Sequence, residues 1–448
     1  MKVILLNTPL FKEPGESNDE DSLPPYGLGY IATYLQMNNI EVEIIDAIAE
    51  KLSVESLISQ IEVKKPDFLG LNVFTTNYEI VKDLVTCIKI KTHIIVGSLA
   101  TKTLYKKILN WETNNQIDIV IGDGELIMPD LVKGIEKDKC FYQSGKRRVF
   151  KIDKLSEYHA DKISNIPLNR DFFLNEPKIN IYNQPEVNLV TSRGCIYNCS
   201  FCAAARSHNK EFGVRERGVL SIIAELREII LKYPLVKSIR ILDDLFLKSN
   251  ESIKKAYEIF SKFDLGWRSM AHVRTFSKIK QEYLSSMKKS GCKELFIGIE
   301  SGSPKILKNI HKTDNVVLIK KNLSKLFKAG IDIKGYFIFG FPEETEQDAQ
   351  MTYNLAMELK DDSIKYGANF RTSVFQFRPY HGTEIYEKLK NKYPDFHKET
   401  ISQNNKLSQL IGREQFNFHS NNYSNISLDN IHDYICKTNM IQWNRPRH

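Results

Sequence analysis

The sequence predicts an α/β fold: a doubly wound domain, then a partial (β/α)6 barrel, and a short C-terminal cap. Three observations support this. Short apolar runs alternate with amphipathic stretches along most of the 448-residue chain. The apolar runs are continuous, which is typical of parallel strands covered on both faces. The composition, with 42% hydrophobic and 26% charged residues, is that of a globular protein.

The first series of elements occupies residues 1–135. Strands are predicted at 2–7, 42–47, 68–74, 93–98 and 117–125. Helices are predicted at 26–37, 53–63, 78–90 and in the segment that ends at 135. Because helices separate the strands, this series predicts one doubly wound, Rossmann-like domain with ligands at the carboxyl ends of its strands.

Residues 136–185 are predicted to be a linker, formed by a small hairpin and an extended connection that contains Pro167. A second series covers residues 186–390. Its strands are predicted at 187–192, 238–244, 267–273, 294–300, 334–340 and 371–377, and its helices at 215–232, 250–263, 279–289, 316–328 and 345–360. Six such β/α units predict a partial barrel whose chemistry lies at the carboxyl ends of the strands. Residues 391–448 are predicted to be a cap with one helix at 427–438.

Composition excludes several classes of protein. The net charge of +8 is spread along the chain, so we expect a lysine-rich surface and no nucleic-acid partner. No apolar run reaches about 18 residues, so we expect no membrane-spanning helix. The N-terminus lacks the features of a secretion signal, and the seven cysteines are an odd number. We therefore expect a cytoplasmic protein without a disulfide framework.

Three cysteines form a compact group. Cys195, Cys199 and Cys202 follow the first barrel strand with the spacing C-x3-C-x2-C. Three closely spaced thiolates bind iron–sulfur clusters or zinc. Structural zinc needs a fourth ligand, for which His208 is the nearest candidate. An iron–sulfur cube with three protein ligands leaves one iron open to an amine and a carboxylate, and we favour this interpretation.

Several motifs accompany the cysteines. The cluster loop reads TSRGCIYNCSFC (191–202), and LDDLF (242–246), WRSMAHVR (267–274), GCKELFIGIESGSPKIL (291–307), AGIDIKGYFIFGFPEET (329–345) and PYHGTEIY (379–386) follow it. Upstream stand PPYGLGYIATYL (24–35) and IDIVIGDGE (117–125). Over residues 1–390 this order resembles the radical S-adenosylmethionine (SAM) superfamily, in the branch with an N-terminal cobalamin-binding domain. The resemblance implies a cobalamin-binding-type domain at 1–135 and a radical SAM barrel at 186–390.

The resemblance implies roles for residues around the cysteines. The three thiolates would ligate a [4Fe–4S] cluster whose open iron binds SAM, and SAM would be split to a 5′-deoxyadenosyl radical. Phe201 would lie beside the cluster. Glu300 would accept hydrogen bonds from the ribose hydroxyls, with Ser301 as a weaker candidate for cofactor binding. Lys312 stands where the family often has a basic residue.

Other candidates stand at strand ends. Arg274 would pair with the SAM carboxylate, and Gly340 would form a turn close to the cofactor. Asp243 and Asp244 would touch the SAM amino group or the substrate. His381, where the family usually has proline, would be an acid–base group or an anchor on the substrate side. Each residue also has a structural alternative, namely packing, a helix N-cap, a salt bridge or an exposed position.

Cobalamin is expected despite two departures from the branch. No Asp-x-His-x-x-Gly motif is present, and Gly97-Ser98 stands where the branch usually has Gly-Gly. The second glycine lets the backbone approach a ligand closely, and serine restores a Cβ atom there. Residues 11–23 also form an acidic insertion near the expected binding edge.

Three functions remain open at this stage. The first is cobalamin-dependent C-methylation of a small molecule. The second is a cobalamin-independent radical dehydratase or deoxygenase that acts on a sugar or an aminoglycoside-like diol. The third is a non-enzymatic cobalamin or redox sensor. Either enzyme would need a small-molecule substrate and an electron donor such as flavodoxin, ferredoxin or a dedicated reductase.

Overall fold

The computed structural model describes residues 1–10, 23–135, 140–151, 163, 165–313, 315–393, 396, 402–403 and 418–443. These residues form two compact units. The first runs to Asn175 and includes Tyr380–Gly382, and the second contains Glu176–Pro379 and the described residues from Thr383 onward. Residues 11–22 of the acidic insertion lie outside the described residues. No helix of the described chain is long and apolar enough to cross a bilayer.

The first unit contains a seven-stranded sheet in the order β2-β1-β3-β4-β5-β7-β6. Its strands are β1 (Lys2–Asn7), β2 (Glu41–Asp46), β3 (Phe68–Asn72), β4 (His93–Gly97), β5 (Gln116–Ile121), β6 (Cys140–Ser144) and β7 (Arg147–Lys151). Its helices are α1 (Tyr26–Met37), α2 (Val54–Lys64), α3 (Tyr78–Cys87), α4 (Thr101–Ile108) and α5 (Met128–Lys133). All strand pairs are parallel except β6 with β7.

Both faces of this sheet are covered, as the continuous apolar runs predicted. On β1, Ile4 and Leu6 join one buried cluster, whereas Val3 and Leu5 join a second cluster on the opposite face. The doubly wound prediction is therefore confirmed. The hairpin of β6 and β7 differs from its assignment to a linker: it extends the sheet, because Phe150 and its neighbour Val149 are buried against it.

The second unit contains a sheet in the order β16-β15-β14-β13-β12-β9-β8. These strands are β8 (Lys178–Ile179), β9 (Pro185–Leu189), β12 (Ser238–Ile241), β13 (Gly266–His272), β14 (Cys292–Glu300), β15 (Asp332–Phe339) and β16 (Phe370–Gln376). Two further pairs of short strands are β10 (Ser192–Arg193) with β11 (Arg215–Glu216), and β17 (Ser402–Gln403) with β18 (Phe418–His419). The six strands from β9 to β16 in the large sheet are parallel and curl into a half-barrel, which confirms the partial (β/α)6 prediction.

Helices cover the outer face of the half-barrel. They are α6 (Val219–Lys232), α7 (Asn250–Phe260), α8 (Gln281–Lys289), α9 (Pro304–Asn309), α10 (Val316–Lys328), α11 (Glu346–Lys365), α12 (Glu384–Lys392) and α13 (Leu428–Asn439). Outward-facing residues such as Ile239, Trp267 and Leu295 pack in the core under these helices. The α11 helix begins at Glu346 with Thr345 as its N-cap, and Asp348 completes a capping box.

The inner face of the half-barrel carries charges at its amino-terminal end. Arg268 donates hydrogen bonds to Glu186 (Nε to Oε2, 2.8 Å) and to Glu294 (Nη1 to Oε2, 2.9 Å), and Arg371 donates to Glu294 (Nε to Oε1, 2.7 Å). All four side chains are buried. We call these four residues the barrel floor. They fill the lumen with paired charges below the carboxyl ends of the strands.

The C-terminal cap covers the last strand of this sheet. The amide of Thr372 on β16 donates to the carbonyl oxygen of Ile441, and the Thr372 hydroxyl donates to that of Thr438 (2.7 Å). The α13 helix lies one residue from its predicted position. Residues 404–417 of the predicted cap lie outside the described residues.

Candidate active site

The cluster loop begins at the carboxyl end of β9. Its backbone turns at Gly194, which has a φ of +92° and whose Cβ position would lie 2.7 Å from the carbonyl oxygen of Gly213. A side chain at this position would clash with backbone, so the loop requires glycine here. The loop is thereby held next to the strand pair of β10 and β11.

The three cysteines lie together in this loop. Cys199 is buried, and its carbonyl oxygen accepts the amide of Cys202 at 3.1 Å. Burial raises the pKa of the Cys202 thiol to about 12, and the neighbouring Cys199 charge adds to this rise. Burial also raises the pKa values of Cys195 and Cys199. Three thiolates therefore need a strongly electropositive partner here.

A [4Fe–4S] cluster fits this donor set, because each of three thiolates from one loop can bind a different iron. Among the described residues, no three His, Cys, Asp or Glu side chains are placed to hold a single metal ion. His208 lies in the turn that follows Cys202, at Ala205–Asn209, where its amide donates to the carbonyl oxygen of Ala205.

Asp243 and Asp244 hold the cluster loop. The buried Asp243 carboxylate accepts hydrogen bonds from the Thr191 amide (2.7 Å), the Thr191 hydroxyl (2.6 Å) and the Ser192 hydroxyl (2.6 Å). Asp244 accepts the amide of Gly194 at 2.9 Å. Both aspartates thus contact the loop directly, and their contact with SAM or substrate stays a prediction.

Glu300 lies at the carboxyl end of β14 in a strained conformation. Its φ of +70° falls in a region that non-glycine residues rarely adopt, and such strain is concentrated at functional sites. Its Oε1 accepts a hydrogen bond from the Lys312 ammonium at 3.0 Å, and both side chains are buried. The Cβ position of Gly298 would lie 2.2 Å from that oxygen, so a larger residue there would displace the pair. Burial by itself lowers the pKa of Lys312, but the Glu300 carboxylate and the Cys199 and Cys202 charges together raise it.

The remaining predicted cofactor residues occupy varied positions. The Arg274 side chain is exposed, and Phe201 is half-buried with its ring against Phe341 (5.7 Å between centroids). The Ser301 hydroxyl is buried 3.0 Å from that of Thr352. Gly340 has a φ of +89°, which the turn after β15 requires. The roles of these residues toward SAM stay predictions.

His381 lies in the first unit, with Tyr380 and Gly382. Its Nδ1 lies 3.1 Å from the hydroxyl of Thr75, and its amide donates to the same oxygen at 3.3 Å. This contact supplies a structural role, and the acid–base role stays a prediction.

Two residues near the site were not found by sequence reasoning. His272, at the end of β13, stacks on Tyr197 of the cluster loop with ring centroids 3.7 Å apart. Burial strongly lowers the pKa of His272, as do the charges of Lys312 and Arg274, so its ring is neutral. Glu344 is buried before α11, where its Oε2 accepts the Gly340 amide at 2.5 Å. The alternation of inward- and outward-facing residues along β13 could have identified His272 as a residue of the inner face.

The carboxyl edge of the first sheet offers a place for a second cofactor. Gly97 ends β4, and nothing lies within 4 Å of its Cβ position. Ser98 follows with a φ of +132°, a conformation that favours glycine, and its hydroxyl donates to the carbonyl oxygen of Val73. The open space beside Gly97 fits the close approach that a cobalamin ligand requires.

Comparisons with known proteins agree with this geometry. The Radical SAM superfamily profile matches residues 189–356, and the B12 binding domain profile matches residues 18–132. The chain is 29% identical to an uncharacterized methyltransferase of Pyrococcus horikoshii, over 81% of this chain and 78% of the relative. It is 23% identical to the cytidylyl-2-hydroxyethylphosphonate methyltransferase of Streptomyces wedmorensis, over 82% of this chain and 79% of the relative.

Two solved structures share the fold. The cobalamin-dependent SAM radical enzyme OxsB matches with a TM-score of 0.67 and 15% identity, over 94% of this chain but only 64% of OxsB. The radical SAM methyltransferase TsrM from Kitasatospora setae matches with a TM-score of 0.60 and 15% identity, over 87% of this chain and 78% of TsrM. The radical SAM domain implies SAM and a [4Fe–4S] cluster, and the B12-binding domain implies cobalamin. The chain is therefore a radical SAM enzyme and belongs to the branch of that superfamily with an N-terminal B12-binding domain.

Proposed function

We propose that this enzyme is a cobalamin-dependent methyltransferase that methylates a carbon atom of a small molecule. The observation that carries the proposal is the presence of a B12-binding domain and a complete cysteine loop in one chain. When bound, the cluster and SAM would supply a 5′-deoxyadenosyl radical, and cobalamin would supply the methyl group.

The chain's own residues would position these groups. Cys195, Cys199 and Cys202 would ligate the cluster. Asp243 fixes the start of their loop through three hydrogen bonds, so the thiols do not depend on the cluster alone for their placement. The Glu300–Lys312 pair presents a carboxylate at the carboxyl end of the barrel, where the ribose hydroxyls of SAM would bind.

The relatives favour methylation over the alternatives. Both relatives described above are named as methyltransferases, and neither name supports the dehydratase. The sensor is set aside because the matched domains are those of an enzyme. The substrate would be a small molecule, and an external reductant would deliver the electron.

The test uses the full chain reconstituted with iron, sulfide and cobalamin, and SAM that carries a deuterated methyl group. We expect 5′-deoxyadenosine, S-adenosylhomocysteine whose formation requires cobalamin, and label in the methylated product. Cys199→Ala should abolish all three. Cys87→Ala is the matched control, because this exposed cysteine lies in the first unit. Formation of 5′-deoxyadenosine without any cobalamin-dependent S-adenosylhomocysteine would contradict methylation and favour the dehydratase.

A further inference from the structure

The upper part of the half-barrel lumen is lined by apolar side chains. The strand registers place Met270 beside Phe296 on the inner face, and Ile338 beside Phe375. Asn188 and Arg240 are also neighbours on the inner face. Val190 and Leu242 each lie two positions further along the chain and face the same side. We call the five half-buried residues of this region the upper lumen: Val190, Leu242, Met270, Ile338 and Phe375.

Strand alternation places these side chains on the lumen side of the sheet. Their neighbours that face outward, such as Ile241, Ala271 and Val374, are buried in the core under the helices. The barrel floor fills the amino-terminal side of the lumen with buried ion pairs. The partial exposure of the upper lumen therefore reflects space at the carboxyl ends of the strands, beside the cluster loop.

Strand alternation places one buried polar side chain on the same face of the sheet. His272 is the next inward-facing residue after Met270 on β13, and it is 5% exposed. Its Nδ1 accepts the amide of Arg274 at 3.1 Å, so the hydrogen of the neutral ring is on Nε2. That Nε2–H group has no acceptor among the residues that the structure describes. The stack on Tyr197 fixes the plane of the ring.

A buried donor without an acceptor is destabilising, and such groups are rare in folded proteins. We infer that the substrate of this enzyme has an apolar body that occupies the upper lumen and a hydrogen-bond acceptor that binds His272 Nε2. This inference rests on the proposed function, because it places the substrate beside the cluster loop. A polyhydroxylated diol fits poorly, since five apolar side chains would desolvate its hydroxyl groups without pairing them.

Two naphthalene probes test the inference on the cluster-reconstituted full chain. The first is 2-acetylnaphthalene, which has an apolar body and one acceptor, and the second is 2-ethylnaphthalene, which lacks the acceptor. We expect both probes to bind, as measured by fluorescence titration, and the acetyl compound to bind more tightly. The polar probe 2-deoxystreptamine should not bind. Tighter binding of 2-deoxystreptamine than of the naphthalenes would overturn the inference.

Variants separate the two parts of the inference. Met270→Asn should weaken both probes about tenfold, because it places an amide in the apolar wall. His272→Phe should weaken 2-acetylnaphthalene about tenfold and leave 2-ethylnaphthalene within about twofold, because phenylalanine keeps the ring on Tyr197 but removes the donor. The matched control is Met440→Asn, at a methionine that is 73% exposed. Iron content and melting temperature show whether each variant folds, and Ile338→Thr replaces Met270→Asn if that variant does not.

SAM also carries oxygen acceptors, so its affinity is measured in the same variants. If His272→Phe weakens SAM binding and leaves both probes unchanged, the acceptor belongs to SAM and the inference is wrong. Unchanged probe binding in Met270→Asn would also refute it. None of these titrations needs cobalamin or turnover. A protein that binds the probes as expected but forms no labelled product would contradict the proposed function alone.

Discussion

The buried carboxyl group of Glu344 makes the stability of the second unit depend on pH. Burial raises the pKa of Glu344 from its ordinary value of 4.5 to about 8, and the nearby Asp348 carboxylate adds to this rise. Hydrogen bonds from the amides of Gly340 and Phe341 and the charge of Lys305 act in the opposite direction but do not cancel it. At neutral pH this side chain is a protonated acid inside the fold.

The raised pKa has a calculable consequence. Between pH 4.5 and about 8 the unfolded chain loses the Glu344 proton while the folded chain keeps it. The folded state thus binds more protons, and the free energy of unfolding falls as the pH rises through this window. The stabilisation is fully present below pH 4.5 and is lost as the pH passes 8. The full shift corresponds to about 5 kcal/mol, on the order of the stability of many whole domains.

The perturbation is Glu344→Gln, which cannot ionise and whose carbonyl oxygen can still accept both amides. We expect the free energy of unfolding of this variant, measured with urea from pH 5 to pH 9, to lack the decline of about 4 kcal/mol that the unmodified protein should show over this range. The matched control is Glu343→Gln, because Glu343 is the exposed neighbour that pairs with Lys392. Parallel pH profiles for Glu344→Gln and the unmodified protein would refute the reasoning.

Three further predictions concern the second unit. Gly194→Ala should lower the iron content after reconstitution, because the new Cβ atom strains the backbone at a φ of +92° and lies 2.7 Å from the Gly213 carbonyl oxygen. Gly218→Ala is the control and should keep its iron, because the space around that Cβ position is open. Asp243→Asn should destabilise the loop by about 2 kcal/mol, and so lower both the melting temperature and the iron content. Unchanged iron content would show that Asp243 does not hold the loop and would favour a role in binding SAM or substrate. Arg268→Met should lower the free energy of unfolding by roughly 3–5 kcal/mol, because it removes the guanidinium partner of the buried Glu186 carboxylate and leaves Glu294 with Arg371 alone. A loss below about 1 kcal/mol would contradict the role of the barrel floor.

The central parallel strands of both large sheets could be predicted because they are buried on two faces, so most of their residues are apolar. The β14 strand was expected at 294–300 and extends over Cys292–Glu300. The α4 and α12 helices were not predicted because each has only eight or nine residues, which is too few turns for a helical period to stand out in the sequence. The hairpin of β6 and β7 was assigned to a linker because its pairing with β5 is a long-range event that no local pattern reports.

In the candidate active site, too, residues in a local motif could be predicted, whereas roles that depend on distant contacts could not. The cysteine spacing is local, and the sequence identified all three thiols. The hydrogen bonds of Asp243 to Thr191 span 52 residues and exist because the ends of β9 and β12 are neighbours in the sheet. The sequence therefore placed a carboxylate at the site without showing what it holds. His272 was missed because the sequence does not show which face of β13 points inward. In the structure that face is identified by Arg268, whose partner Glu186 lies 82 residues away.

The cap that covers β16 has a further consequence for how this protein behaves in solution. An open half-barrel, unlike a closed one, ends in a strand whose amides and carbonyls are available to another chain. Here Ile441 accepts the outward amide of Thr372, and α13 lies along the same strand. A version shortened after residue 390 would leave the seven-residue edge of β16 without this cover, and we expect it to form intermolecular sheet and precipitate on refolding, whatever its effect on catalysis.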